Sequence, residues 1–254
     1  MFTTLEVSAE GTVGRLWLNR PERLNALSIT VLQELAAAAR WFDTQQEVRV
    51  VIVGGHGRAF SAGADLDGFP ALGDAGVREA ADAGRLMADA LEALKAVSIA
   101  RIQGWCVGGG LVLAAACDLR VAAETARFSI PEIDLGIPLA WGGIPRLVRE
   151  IGPALTRELV ITCREFGAAE ARDAGFLNRV VSEDALDGEV DALAGQVASK
   201  PSYPVAATKA HVAAVTEQMV GTRNAWSDAD GLIGGLLDPE CGEAREAYLR
   251  ARRR

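Results

Sequence analysis

The chain has 254 residues, half of them apolar and about a quarter charged, with a formal net charge of −8. This length and composition are typical of one globular domain, with or without a helical appendage. The acidic balance excludes a broad nucleic-acid-binding surface, and no uninterrupted apolar run is long enough to cross a membrane. Since there is no secretory signal and the four cysteines are scattered, we expect a cytoplasmic protein with reduced thiols.

Strand-like and helical runs alternate along the first half of the chain. Val13–Leu18 predicts a strand, and Ser28 is a candidate cap for the helix that follows it. The apolar run Val48–Val53, which stops at Gly54-Gly55, predicts a buried strand. The helix after Ser28 is predicted from apolar residues at helical spacing, namely Val31, Leu32, Leu35 and Ala39.

The pattern then changes from mixed to mainly helical. Ser98–Gln103 and Leu119–Ala122 predict two more strands, with a glycine turn and a helix over Leu111–Cys117 between them. After about residue 141 the remaining patterns are mostly those of helices. One helix face is predicted from the spacing of Leu186, Val190, Leu193 and Val197. The sequence therefore predicts an α/β core followed by helices.

Two glycine-containing segments could present backbone N–H donors to a ligand. In Gly57–Leu66, small residues let a ligand approach the main chain closely. Gly108–Gly110 opens a helix, where free N–H groups favour an anion or an oxyanion, although either segment could simply be a tight turn. A P-loop, a GxGxxG fingerprint, a GxSxG elbow and a metal-ligand cluster are disfavoured because their residues are missing from the sequence.

Several segments resemble the motifs of the enoyl-CoA hydratase/isomerase (crotonase) superfamily, in the family's order and at similar separations. The four main ones are Leu18–Leu27, Ala59–Leu66, Gly104–Asp118 and Phe128–Gly136, with weaker matches at Ala168–Val181 and Ala206–Lys209. The resemblance implies an α/β, ClpP-like spiral of ββα units over residues 1–195. It also implies a helical trimerisation region over residues 196–254, and a homotrimer or a dimer of trimers.

The same resemblance implies an acyl-CoA thioester as ligand, with no further cofactor and no metal. The backbone N–H groups of Ala64 and Gly109 would form an oxyanion hole for the thioester oxygen. Trp141, where hydratases often have a smaller turn, would reshape the acyl pocket unless it only packs in the core. Arg23 would pair with a phosphate or remain a solvated surface charge. The residues expected along the CoA are Arg23, Leu24, Ala26, Ala62, Asp65 and Leu66.

Two positions bear on which reaction the protein performs. Glu132 corresponds to a catalytic acid/base of the family, although a glutamate after Pro131 could also be a surface or capping residue. Val112 stands where two-acid hydratases of the family carry a second glutamate. Valine can neither hold a water molecule nor exchange a proton, whereas one base is enough to move a double bond from position 3 to position 2. Members with one glutamate include Δ3,Δ2-enoyl-CoA isomerases, which tend to carry an aliphatic residue at this position.

The favoured hypothesis is therefore an enoyl-CoA isomerase that uses Glu132 alone. The first alternative is an enoyl-CoA hydratase, or another reaction of the family that passes through a thioester enolate. The second alternative is an acyl-CoA-binding protein without catalytic activity.

Overall fold

The structure, a computed structural model, describes residues 2–66, 73–225 and 228–252. Within these ranges the strands form two sheets. The larger sheet has the order β1 (Leu5–Glu10), β2 (Val13–Leu18), β3 (Val50–Gly55), β5 (Val97–Ile102), β7 (Leu119–Ala123) and β10 (Arg179–Val181). The smaller sheet has the order β4 (Ala59–Ser61), β6 (Trp105–Val107), β8 (Arg127–Ser129) and β9 (Phe166–Gly167).

Helices follow the strands and fill the C-terminal part of the described chain. The helix in the first third is α1 (Ile29–Phe42), and the helices around the sheets are α2 (Asp74–Glu92), α3 (Gly109–Ala115), α4 (Gly143–Thr162), α5 (Ala168–Asp173) and α6 (Leu186–Ala198). The C-terminal helices are α7 (Ser202–Val220), α8 (Asp228–Leu237) and α9 (Pro239–Arg252). None of the helices in the described ranges is long and apolar enough to span a bilayer.

The chain repeats a ββα unit three times, as β3-β4-α2, β5-β6-α3 and β7-β8-α4. The first strand of each unit joins the larger sheet and the second joins the smaller one, and successive units pair in parallel. As a result, the ends of β4, β6 and β8 lie side by side. The segments that follow these strands carry the candidate site.

The central strands of the larger sheet are buried on both faces, which explains why β3 reads as an unbroken apolar run. One face contributes to the main core with α1, α2 and α3. The other face is covered by α6, whose Leu186, Val190 and Leu193 pack against Val50 and Ile52 of β3. The predicted spacing of these α6 residues is confirmed, and Val197 packs at the edge of the same cluster.

The predicted elements agree with the structure except at some of their ends. The strand Val13–Leu18 is confirmed, and Ser28 caps α1 by accepting a hydrogen bond from the N–H of Val31 (3.4 Å). The prediction that glycines stop β3 was wrong, since β3 extends through Gly55. Gly54 leaves space for the ring of Trp17, which a side chain there would overlap. The helix predicted over Leu111–Cys117 begins two residues earlier, at Gly109, and ends at Ala115.

Candidate active site

The turn between β6 and α3 brings two distant parts of the chain together. Gly108 has a φ of +48°, a conformation that favours glycine, and its N–H donates to the carbonyl of Ser129 at the end of β8 (2.9 Å). A Cβ on Gly108 would overlap Oε1 of Glu132. The carboxyl group of Glu132 therefore lies directly against the start of α3.

Glu132 is a buried carboxyl group that forms no ion pair within the described part of the chain. Its residue surface is 9% exposed, and Oε2 has no hydrogen-bond partner among the described residues. Burial raises the pKa of Glu132 from 4.5 to about 7, and a hydrogen bond from its own backbone N–H acts in the opposite direction. At neutral pH both protonation states are populated, which suits a group that accepts and returns a proton.

The loop that carries Glu132 is held by its own turns and by the C-terminal helices. Within the loop, the N–H of Ile137 donates to the carbonyl of Glu132 (2.9 Å). From α9, Nε of Arg245 donates to the carbonyl of Leu135 (3.1 Å), and Nη2 donates to the carbonyl of Gly235 in α8 (3.0 Å). The helices after residue 220 therefore fix the segment that follows the candidate acid/base.

The two segments expected to hold CoA run side by side. The N–H of Ala62 donates to the carbonyl of Leu24 (2.9 Å), and the N–H of Asp65 donates to the carbonyl of Leu27 (3.1 Å). Leu27 in turn donates to the carbonyl of Gly63 (2.8 Å). The structure thus brings together Leu24, Ala26, Ala62 and Asp65, which the sequence resemblance assigned to one binding site.

Asp65 links this pair of segments to two arginines. Its carboxylate pairs with Nη1 of Arg20 (2.9 Å) and with Nη2 of Arg23 (3.1 Å). The side chain of Arg23 is 42% exposed, so it lies at the rim with part of its guanidinium in solvent. Arg20 also donates to the carbonyl of Ala26 (2.7 Å). Leu66, the last described residue before the gap, is half-buried.

The two predicted oxyanion donors, Ala64 and Gly109, lie on neighbouring segments. A Cβ placed on Gly63 would be 2.6 Å from the carbonyl oxygen of Val107 and 3.4 Å from the nitrogen of Gly109, so the two segments touch. Within the described ranges, neither the N–H of Ala64 nor that of Gly109 donates to a protein acceptor. Both amides are therefore free to donate to a ligand oxygen.

Trp141 lies against one of these donors. Its side chain is wedged between Gly84 of α2 and Gly109 of α3, and a Cβ on either glycine would overlap the indole. Its backbone has a φ of +62°, and 9% of its residue surface is exposed. Trp141 is therefore part of the core and also borders the candidate site, and its effect on the acyl pocket stays a prediction.

Val112 faces an apolar wall next to the same helix start. It is 1% exposed, and its Cγ2 would be 2.9 Å from a Cβ on Gly143, which also abuts Leu139. The wall formed by Val112, Leu139 and Gly143 therefore carries no ionisable side chain.

Two buried polar residues that support the site were missed by the sequence-based prediction. Asn25 donates to the carbonyls of His56 and Ala59 (both 2.9 Å), and Arg146 donates to the carbonyls of Trp141 (3.1 Å) and Gly142 (3.3 Å). Asn25 could have been found, because it lies inside the Leu18–Leu27 motif. Arg146 gives no local signal, since arginine in a helix is most often solvent-exposed.

Comparisons with known proteins agree with this geometry. Residues 8–232 match the family model for enoyl-CoA hydratase/isomerase. A "probable enoyl-CoA hydratase" of Rhizobium meliloti is 38% identical over 207 residues, covering 78% of this chain and 76% of the relative. The peroxisomal Delta(3,5)-Delta(2,4)-dienoyl-CoA isomerase of Arabidopsis thaliana is 34% identical over 225 residues, covering 82% and 81%.

A solved structure supports the same assignment at the level of the fold. The crystal structure of an enoyl-CoA hydratase/isomerase from Xanthobacter autotrophicus superimposes with a TM-score of 0.89 at 29% identity, covering 98% of this chain and 94% of that one. The expected α/β spiral of ββα units with a helical C-terminal region is confirmed. Relatives carry both hydratase and isomerase names. The chain belongs to the enoyl-CoA hydratase/isomerase family.

Proposed function

We propose that this protein is an enoyl-CoA isomerase that moves a double bond from position 3 to position 2 with Glu132 as its single acid/base. The observation that carries the proposal is the buried carboxyl of Glu132 beside Gly108, whose Oε2 has no partner among the described residues. The valine at position 112, where the family resemblance leads us to expect a second acid in hydratases, supports the same reading. The Glu132 carboxylate takes a proton from C2 of the thioester and returns it at C4, so the residue ends in its starting protonation state.

The negative charge of the intermediate requires its own stabilisation. Loss of the C2 proton places that charge on the thioester oxygen, which would accept hydrogen bonds from the N–H groups of Ala64 and Gly109. Preorganised backbone donors of this kind typically lower a barrier by about 3 kcal/mol each. The absence of competing acceptors for these two amides among the described residues supports this role.

We also propose that the CoA portion lies along the paired segments around Leu24 and Ala62. The two segments run in parallel, Ala26 and Ala62 are small and only half-buried, and Arg23 at the rim supplies a positive charge for a phosphate. Asp65 would orient Arg20 and Arg23 through its two ion pairs.

Proton exchange at C2 tests the chemistry before the product is known. Wild-type protein with a saturated acyl-CoA in deuterated water should incorporate deuterium at C2, and with a 3-enoyl-CoA it should form the 2-enoyl isomer. Glu132→Gln should abolish both activities while acyl-CoA binding persists. Asp134→Asn, two residues away and exposed, is the matched control and should retain activity. Unchanged exchange in Glu132→Gln would remove Glu132 from the mechanism.

The second candidate function is hydration of a 2-enoyl-CoA, which the hydratase names of relatives favour. Rapid hydration of crotonyl-CoA by the unmodified protein would support it and overturn the isomerase proposal. Tight acyl-CoA binding without deuterium exchange would instead support a non-catalytic binding protein.

We further propose that the chain assembles as a homotrimer or a dimer of trimers. Helix α7 supports this, because its apolar side chains are exposed in the single chain, which is unusual for a helix that long. Light scattering on the purified protein measures the assembly mass, and a monomer would overturn the proposal. The exposed apolar side chains of α7 are Tyr203, Val212, Val215 and Met219.

A further inference from the structure

We propose that Trp141 determines substrate specificity by closing the acyl pocket beside Gly109, so that the protein accepts short acyl chains and rejects long linear ones. This inference rests on the proposed function, since it assumes that an acyl-CoA binds with its thioester oxygen at Gly109.

The position of the indole relative to Gly109 supports this role. The six-membered ring of Trp141 lies against Gly109, and the five-membered ring lies against Gly84. A thioester oxygen bound by the N–H of Gly109 would be about 3 Å from that nitrogen. The first carbons of the acyl chain would then lie within a few bonds of the indole, which occupies the space between α2 and the start of α3.

Two locally unfavourable features occur where the indole packs. Gly84 lies within the 19-residue helix α2, where glycine is less favourable than alanine, but its missing side chain leaves the space that the indole fills. Trp141 adopts a positive φ, which is uncommon for a bulky residue. Such strain persists only where the surroundings enforce it, and it is concentrated at functional sites.

The backbone of Trp141 is fixed from both sides. Arg146, which is fully buried, donates to the carbonyls of Trp141 and Gly142, and it pairs with Asp89 (2.8 Å) in α2. The N–H of Gly142 donates to Oδ2 of Asp228 in α8 (2.7 Å). Because three helices hold this turn, the indole is a rigid wall that does not swing aside to admit a longer chain.

The test compares short and long acyl chains on the same protein. Calorimetric titration with butanoyl-CoA and decanoyl-CoA should show that the wild type prefers the short thioester. In Trp141→Ala, the ratio of the two dissociation constants should shift towards decanoyl-CoA by about tenfold or more, the range expected for a few carbons in an apolar pocket. The ratio measured for Trp141→Phe should lie between those of the wild type and Trp141→Ala. Trp41→Ala, in α1 beside Phe42, is the control and should retain the wild-type preference.

A second variant tests the same wall without removing the indole. Gly84→Ala should push the ring towards Gly109 and weaken binding of both thioesters. Gly188→Ala in α6, where an added Cβ meets nothing within 4 Å, is the matched control and should bind both thioesters as the wild type does. If Trp141→Ala does not fold, as judged by circular dichroism, Trp141→Phe and Gly84→Ala decide the outcome.

The outcomes distinguish this inference from the proposed function. If the wild type binds neither thioester, the proposed function fails and this inference fails with it. If the wild type binds thioesters and the folded Trp141 variants keep the wild-type preference, only the specificity role of Trp141 is overturned. Unchanged affinity in Gly84→Ala would also overturn it.

Discussion

Oε1 of Glu132 lies in the space that a side chain on Gly108 would fill, although the two residues belong to different ββα units. The hydrogen bond from Gly108 to Ser129 keeps the turn before α3 and the end of β8 in register (2.9 Å). The candidate acid/base and the adjacent candidate oxyanion donor, Gly109, are therefore positioned by the same contact. A change at Gly108 should disturb both of them.

Gly108→Ala should lower the rate of C2 proton exchange by about a hundredfold, the usual cost of misplacing a reacting group by about 1 Å. The added methyl group would displace the Glu132 carboxyl and would also strain a backbone with positive φ. Deuterium incorporation measured by mass spectrometry checks this. Gly195→Ala, in α6 and free of nearby atoms, is the control. C2 proton exchange at the wild-type rate in a folded Gly108→Ala protein would contradict the placement of the Glu132 carboxyl against Gly108.

The pH dependence of the isomerase reaction should report the raised pKa of Glu132. Because the ionised carboxylate is the base, kcat/KM should rise with pH and level off above a pKa of about 7. Steady-state kinetics from pH 5 to pH 9 measure this profile. A profile that levels off near pH 4.5 would mean that burial does not raise the pKa of the catalytic carboxyl.

Glu132→Gln should stabilise the protein above pH 7 while it abolishes activity. The carboxyl ionises near pH 4.5 in the unfolded chain but only near pH 7 in the folded one, so wild-type stability should fall as pH rises through this window. A shift of this size corresponds to about 3 kcal/mol. Urea unfolding at pH 5 and pH 8.5 should show that the advantage of the variant grows with pH. A gain in the free energy of unfolding that does not depend on pH would mean that the variant is stabilised by packing and not by removal of the buried charge.

Val112→Glu should add hydratase activity if water can enter beside Leu139 and Gly143. The new carboxyl could hold a water molecule opposite Glu132, but it would be buried, so we expect a loss of about 2 kcal/mol in the free energy of unfolding. Hydration of crotonyl-CoA, followed by absorbance, measures the gain, and Val112→Gln controls for size. No gain in a folded variant would show that pocket shape, rather than the missing acid, limits hydration.

Arg146→Ala should destabilise the fold by about 3 kcal/mol, because it removes the donor to the carbonyls of Trp141 and Gly142 and the buried guanidinium that pairs with Asp89 and Glu92. Arg85→Ala, which removes an exposed ion pair with the same Asp89, should cost less than about 1 kcal/mol. Chemical denaturation of both variants checks the difference. Equal losses would mean that the buried pairs contribute no more than the exposed one.

Local patterns were enough to predict much of the fold and several groups of the candidate site. Periodicity places β2, α1 and α6, because alternation and helical spacing depend on which faces are buried. Motif resemblance identified Glu132 and Val112, as well as the segments that pair around Leu24 and Ala62. The extension of β3 through Gly54 was missed, because it depends on the ring of Trp17 in the neighbouring strand.

By itself, the sequence determined the family and the alternation of strands and helices, and it led to the prediction that Glu132 is a single acid/base. Only the tertiary structure decided that the Glu132 carboxyl is buried, with no partner for Oε2 among the described residues, and that Trp141 fits between Gly84 and Gly109. Arg146 and Asp89 are 57 positions apart, and their contact exists only because the fold brings the start of α4 within reach of α2. Desolvation and close packing depend on residues that are distant in sequence, so local residue patterns do not encode them.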